Sequence, residues 1–176
     1  ALIMKRIISI LATALCVLTA SAQIRIATPG TELILKADVG AEPQIQYFGE
    51  RLSDTDVANL QAAGVPNHNA YPAYGLWCAS EASLGVTHSD GNMSTVLRVE
   101  SVTQTDEPTA KVTRIKMKDT VYPFYVTLCY RAYQDVDMIE TWTEIENLEK
   151  KPVVLTRFDS GYLPLRAGDV WISHLH

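Results

Sequence analysis

The densest gathering of reactive side-chain types lies in Tyr71–Arg98, YPAYGLWCASEASLGVTHSDGNMSTVLR, which brings Tyr71, Tyr74, Trp77, Cys78, His88 and Asp90-Gly91-Asn92 into twenty-eight positions. His88-Ser89-Asp90 holds the residue types of a hydrolase triad. A triad works by convergence in space, and neighbours in a strand and turn point in different directions, so this order argues against one. His174 and His176 share one face of a strand. His68 or His88 would have to complete a metal site with them, and no third ligand has a diagnostic spacing, so neither metal nor cofactor is expected. Asp90-Gly91-Asn92 lacks the repeated acids and distal Glu of a calcium loop, and a hairpin turn accounts for it. Cys78 and Cys129 show no CxxC or Cys/His metal spacing. Outside the cytoplasm they could pair, while two separate buried thiols is the simpler reading. Asn92-Met93-Ser94 meets the short glycosylation pattern.

Aromatic faces offer a different chemistry, stacking on sugar rings through apolar contact. Tyr71 and Tyr74, beside Pro72 and Gly75, fit a core and a sugar surface about equally, and Trp77 lies close by. Trp142 and Trp171 fall in strand patterns and are expected in the core.

The elements that must position these residues begin after a leader. Met4-Lys5-Arg6 is a short positive segment, Ile7 to Leu18 is apolar, and Thr19-Ala20-Ser21-Ala22 ends in a small-x-small pattern. That predicts a signal peptide over residues 1–22, with Ala1-Leu2-Ile3 ahead of the natural initiator, cleavage before Gln23, and export to the periplasm or outside the cell. The apolar run is short of the roughly 18 residues a membrane span needs, so no membrane association is expected after cleavage. Cys16 follows Leu15 instead of a small residue and sits within the run, which argues against lipid attachment. Removing Lys5 and Arg6 leaves 15 − 2 = 13 basic residues against 20 acids, a net charge of −7. No Lys/Arg cluster offers a nucleic-acid surface. With 47% apolar residues, residues 23–176 can bury one core.

The period is two almost throughout. Thr31–Val39 places Leu33, Leu35, Ala37 and Val39 on one face, and Gln44–Phe48 follows a turn. Strands are expected at 84–88 and 95–102, paired as a hairpin through Ser89-Asp90-Gly91-Asn92. Thr113, Ile115 and Met117 oppose Arg114, Lys116 and Lys118, and Phe124, Val126, Leu128 and Tyr130 oppose Tyr125, Thr127, Cys129 and Arg131. Further alternation covers 138–145, 153–158 and 170–174. One short helix is expected after Ser53, which can cap it, ending near Gly64 and Pro66. Val65–Ala70 reads as an exposed polar loop. The whole reads as an all-β antiparallel sandwich with one short helix, and alternating β and α units are missing.

Several segments together carry a resemblance: Tyr71-Pro72-Ala73-Tyr74-Gly75, Val86 to Asn92, Leu97-Arg98, Val126 to Tyr133, Met138 to Asn147, Arg157 to Leu165 and Trp171 to His176. Their order and spacing resemble the N-terminal domain of glycoside hydrolase family 36, the α-galactosidases, from about Ile26 to His176. The resemblance implies a β-supersandwich placed ahead of a catalytic (β/α)8 barrel and a smaller C-terminal β domain. It implies a parent enzyme that cleaves terminal α-galactosyl residues from oligosaccharides with retention, using two aspartates of the barrel. No residue of this chain matches either aspartate, so the resemblance implies a chain that is inert alone. It also implies homo-oligomers, packing on the parent's own barrel, and a loop near the sugar pocket. Val65–Tyr74 is the candidate by position, with Asn67, His68, Asn69 and Tyr71 as rim contacts. Two other readings stay open: an independent sugar-binding sandwich using Tyr71, Tyr74 and Trp77, and a related α-N-acetylgalactosaminidase or galactosyl transferase.

Overall fold

The computed structural model describes residues 23–62, 68–75 and 81–165. The leader, Asn67, Trp77, Cys78 and the strand expected over 170–174 lie outside the described residues. Four antiparallel strands run in the order β1 (Gln23–Ala27), β2 (Thr31–Lys36), β3 (Gln44–Glu50) and β4 (His68–Asn69). Helix α1 (Asp54–Ala62) lies between β3 and β4 in the chain. The strands β5 (Leu84–Thr87) and β10 (Val154–Phe158) pair with each other, and β6 (Leu97–Asp106), β7 (Ala110–Asp119), β8 (Phe124–Tyr133) and β9 (Ile139–Asn147) form a second antiparallel four-stranded sheet. No helix among the described residues is long and apolar enough to cross a membrane.

The alternation of β7 and β8 works as the sequence predicts. Ile115, Met117, Phe124, Val126, Leu128 and Tyr130 face inward and meet Ile24, Ile26, Leu33, Leu35 and Ile45 of the first sheet in one core. Tyr71, Ala73, Leu84 and Val86 join the same core. Each large apolar side chain fully buried there contributes about 1.5–3 kcal/mol. The helix starts as expected, with the Asp56 N–H donating to Ser53 Oγ at 3.2 Å and Ser53 Oγ donating to Asp56 Oδ2 at 2.6 Å. Asp54 and Asp56 in its first turn complement the helix dipole.

Strand β2 departs from simple one-sided burial. Leu33 and Leu35 enter the core, but Glu32 and Ile34 on the opposite face are also fully buried. Arg25 of β1 grips the Glu32 carboxylate through Nε and through Nη2 at 3.0 Å, and the Leu52 N–H donates to it at 3.1 Å. Burial pushes the Glu32 carboxyl up, but the Arg25 hydrogen bonds and the Leu52 N–H outweigh this and hold it below the usual carboxylate range. Val39, expected inward, is 75% exposed, because the chain has already turned there: Ala41 N–H donates to Asp38 O and Gly40 takes φ +83°.

Three further expectations change. The turn at 88–92 exists, with His88 N–H to Asn92 O at 2.8 Å and Gly91 at φ +91°, but it does not join a paired hairpin. β5 pairs with β10 (Leu84↔Phe158, Thr87↔Val154) and β6 with β7. The backbone after the turn is committed elsewhere, Thr95 N–H to Tyr74 O and Val96 N–H to Asp119 Oδ2, which carries the chain into the other sheet. The expected exposed loop before Tyr71 ends instead in β4, where Asn69 is half-buried and Ala70 buried. Trp142 lies half-buried on the outer face of the second sheet, since it pairs with outward Cys129 and not with the inward row.

Candidate functional site

The segment after β4 is held by its own polar side chains. Asn69 Nδ2 donates to Glu42 Oε2 at 2.8 Å while Asn69 Oδ1 accepts the Tyr71 N–H at 2.8 Å, a tight turn of the kind Asn favours. Glu42 in turn pairs with Arg98, which ties the segment to the start of β6. Tyr71 is 2% exposed, and its hydroxyl donates to Asp159 O at 2.8 Å, where Thr143 Oγ1 also donates at 3.1 Å. Burial pushes the Tyr71 phenol up. His68 is exposed at the open end of the segment, and Asn67 lies outside the described residues. The expected rim residues thus divide: His68 faces solvent, while Asn69 and Tyr71 build the support behind it. Tyr71→Phe is expected to cost about 1 kcal/mol by removing one hydrogen bond from the core wall, read as the shift of the urea unfolding midpoint.

Tyr74, 59% exposed, reaches solvent where Tyr71 does not. It borders a cleft of about 350 Å³ with Glu81, Gly85, Met93, Thr156 and Arg157. Arg157 pairs with Glu81 and with Asp159 at 3.4 Å, so the cleft presents an aromatic face beside a guanidinium and the Glu81 carboxylate. Gly75 at φ +122° makes the turn possible, and a Cβ there would meet the Thr95 backbone N at 2.7 Å. A second cleft of about 460 Å³ is lined by Phe48, Tyr130, Asp137, Thr141, Tyr162 and others.

The most concentrated polar geometry involves residues the sequence did not bring together. His88, 2% exposed, sets Nδ1 2.7 Å from Glu149 Oε1 and Nε2 3.0 Å from Thr95 Oγ1. Tyr122 stacks on the imidazole at 3.8 Å, and Phe124 meets its edge at 5.8 Å. The Ser89 N–H donates to Glu149 Oε2 at 3.1 Å. Burial pushes the Glu149 carboxyl up, yet the His88 and Ser89 hydrogen bonds outweigh it and hold the group below the usual carboxylate range. A hydroxyl, an imidazole and a carboxylate in line have the order of an acyl-transfer triad. Thr95 is fully buried, however, and neither of these two clefts is lined by His88, Thr95 or Glu149. The constellation pins the β9–β10 connection to the turn after β5. Ser89 meets the Glu149 carboxylate through its side chain as well as its N–H, and Asp90 instead accepts from the Tyr122 hydroxyl at 2.8 Å. Glu149 was legible only as part of a connection; sixty-one positions from His88, it carried no local signal.

Among the described residues no group of three His, Cys, Asp or Glu is placed to hold a metal ion. Cys129 is a free, buried thiol pushed up to about 12, by burial first and then by Glu144. Such a group is a poor nucleophile.

Comparison with known proteins places this geometry. The fold matches a GH36 α-galactosidase, AgaA of Geobacillus stearothermophilus, with TM-score 0.67 and 18% identity, over 80% of this chain and 24% of that one. A variant of the same enzyme in complex with stachyose matches with TM-score 0.69 and 20% identity, over 80% and 24%. The α-galactosidase of Lactobacillus brevis matches with TM-score 0.64 and 16% identity, over 79% and 23%. The chain thus spans about a quarter of the length of these enzymes. No curated protein matches it. Residues 41–176 match the glycosyl hydrolase family 36 N-terminal domain, and the chain therefore belongs to that family.

Proposed function

We propose that the chain is the non-catalytic N-terminal β-supersandwich of an exported retaining α-galactosidase that hydrolyses terminal α-galactosyl residues of oligosaccharides such as raffinose and stachyose. The family match over residues 41–176 carries this reading. Catalysis falls to a (β/α)8 barrel outside these residues, because retaining cleavage needs two carboxylates about 5 Å apart across a sugar. The His88–Glu149 pair offers a single carboxylate in a closed site.

Two features support a role as a support for that barrel. Exposed apolar side chains gather toward the end of the described chain: Val154, Leu155, Phe158, Leu163 and Leu165. Strand β10 is exposed at all five positions, as expected of a surface that another domain covers. The segment from Asn67 to Tyr71 then forms part of the rim of the sugar pocket. His68 and Asn67 touch substrate there, and Asn69 and Tyr71 hold the segment in place. The sandwich also mediates assembly into homo-oligomers.

The test is to express the coding sequence through and beyond His176 and to measure galactose release from raffinose, stachyose and an α-N-acetylgalactosaminide. Release from the first two, with retention, supports the reading. Absence of any release, or a preference for the N-acetyl substrate, overturns it. In the active enzyme His68→Ala is expected to raise KM for raffinose about two- to tenfold with kcat little changed, the effect of one lost hydrogen bond common to bound substrate and transition state. An unchanged KM removes His68 from the rim. Heat of binding from galactose on the chain alone would instead favour an independent sugar-binding module.

A further inference from the structure

The inner faces of the two four-stranded sheets part at one end. Leu33 lies directly across from Phe48 in the first sheet, and Tyr130 directly across from Thr141 in the second, so each pair shares a face. Leu33 and Tyr130 are buried, while Phe48 is 44% exposed. Between these pairs lies the cleft of about 460 Å³, a size usual for small-molecule sites. The chain after β10 closes one side of it: a Cβ on Gly161 would stand 2.7 Å from Thr141 Oγ1, so the backbone passes tightly against that strand. Asp137, between β8 and β9, reaches across to the turn between β1 and β2, where its carboxylate accepts from the hydroxyls of Thr28 and Thr31, the latter at 2.9 Å. Those bonds hold the carboxyl below the usual carboxylate range, so it is ionised at neutral pH.

Tyr130 is the group in this cleft that the fold leaves unexplained. The residue is 6% exposed, burial pushes its phenol up, and no hydrogen bond offsets that push. Among the described residues Ser83 Oγ is the one side-chain polar atom that is both sealed from solvent and without a partner. The Tyr130 hydroxyl, also without a partner there, is therefore not sealed, and it opens into the cleft that the residue lines. Buried polar groups are nearly always satisfied, and a neutral phenol both donates and accepts.

We propose that this cleft binds a neutral pyranoside, with the sugar ring resting on Phe48 and its hydroxyls bonded to the Tyr130 hydroxyl and the Asp137 carboxylate. The lining selects that class. Asp137 is the one charged side chain among the described lining residues, so nothing there holds an anion. The other polar side chains used are the hydroxyls of Thr31, Thr141 and Ser160, which donate as well as accept. A ring with C–H groups on its face and hydroxyls on its rim matches an aromatic face beside hydroxyls and a carboxylate. An ammonium ligand would use the carboxylate, but it only donates and would leave the hydroxyl hydrogens unmatched. The site stands on lining chemistry and strand register, independently of the enzymatic reading.

Calorimetric titration of the natural full-length protein with methyl β-D-glucopyranoside and methyl α-D-mannopyranoside tests it, since neither carries the galactosyl group that the proposed parent cleaves. A ligand of this size is expected to bind with a Kd of about 1 mM. Tyr130→Phe is expected to weaken binding about five- to tenfold, the effect of one lost hydrogen bond, and to leave Tm unchanged because the hydroxyl has no protein partner to lose. Phe48→Ala is expected to remove the heat, and Tyr74→Ala, at the other cleft, to leave it as in the wild type. No heat from either glycoside, a Kd unchanged by Tyr130→Phe, a Tm lowered by it, or heat lost with Tyr74→Ala overturns the proposal. So does heat from methylammonium chloride with none from the glycosides, which would make the cleft a cation site. Raffinose hydrolysis by the same wild-type protein separates the two readings. Activity without glycoside binding removes the cleft alone, and binding without activity keeps the cleft and removes the enzymatic reading.

Discussion

Glu149→Ala is expected to destabilise the domain by about 3–5 kcal/mol, the cost of leaving two donors without the buried carboxylate that accepted from them. The His88 side chain has no exposed surface and that of Glu149 only 4%. Without the carboxylate, His88 Nδ1 and the Ser89 N–H keep their burial and lose their acceptor. For a domain of this size the loss corresponds to roughly 6–20 °C in Tm. The pH dependence follows from the direction of the Glu149 shift. Its carboxyl is held below its ordinary value of 4.5 in the fold, so its contribution is fully present above that value and is lost as pH falls through the lower folded value. The gap between wild type and Glu149→Ala should therefore be widest near neutrality and close in acid. Urea unfolding at pH 7 and at acid pH measures both. A gap under about 1 kcal/mol at pH 7 would reduce the pair to the rank of a surface ion pair.

Phe124→Ala is expected to cost a similar amount, about 3–5 kcal/mol, for a different reason. The ring is fully buried at the start of β8, where it fills the core and meets the edge of His88. Truncation leaves a cavity that the two sheets, each held by its own ladder, can close only in part. Because Phe124 and His88 touch, the losses from Phe124→Ala and Glu149→Ala should not add. A double-mutant cycle is expected to return a coupling of about 0.5–3 kcal/mol. Strict additivity would mean that the imidazole is held by its hydrogen bonds alone.

Where a segment's neighbours lie along the same strand, the sequence was enough to read it. Ile115 and Met117 against Arg114 and Lys116, or Phe124 to Tyr130 against Tyr125 to Arg131, name their faces by period alone. The helix after Ser53 was legible for the same reason, since its cap lies three residues from its partner. Pairing is a different matter. The Asp90-Gly91 turn announces a reversal, yet β5 takes its partner from β10, about seventy positions away, because Thr95 and Val96 are already bonded to Tyr74 and Asp119. Tyr71 could have been surface or core by its neighbours. Its hydroxyl found Asp159 and Thr143, and those distant groups make its burial tolerable.

The sequence by itself determined the all-β character, the inward and outward rows of the long strands, the absence of catalytic aspartates with a matching motif, and the family. These depend on local period and on the order of short motifs, which a linear chain carries openly. The tertiary structure alone decided that Glu32 and Glu149 would be buried carboxylates and that Trp142 would lie on the outer face. Each depends on which strand lies beside which, and at what register. Contacts between residues tens of positions apart set that choice, and no local pattern records it.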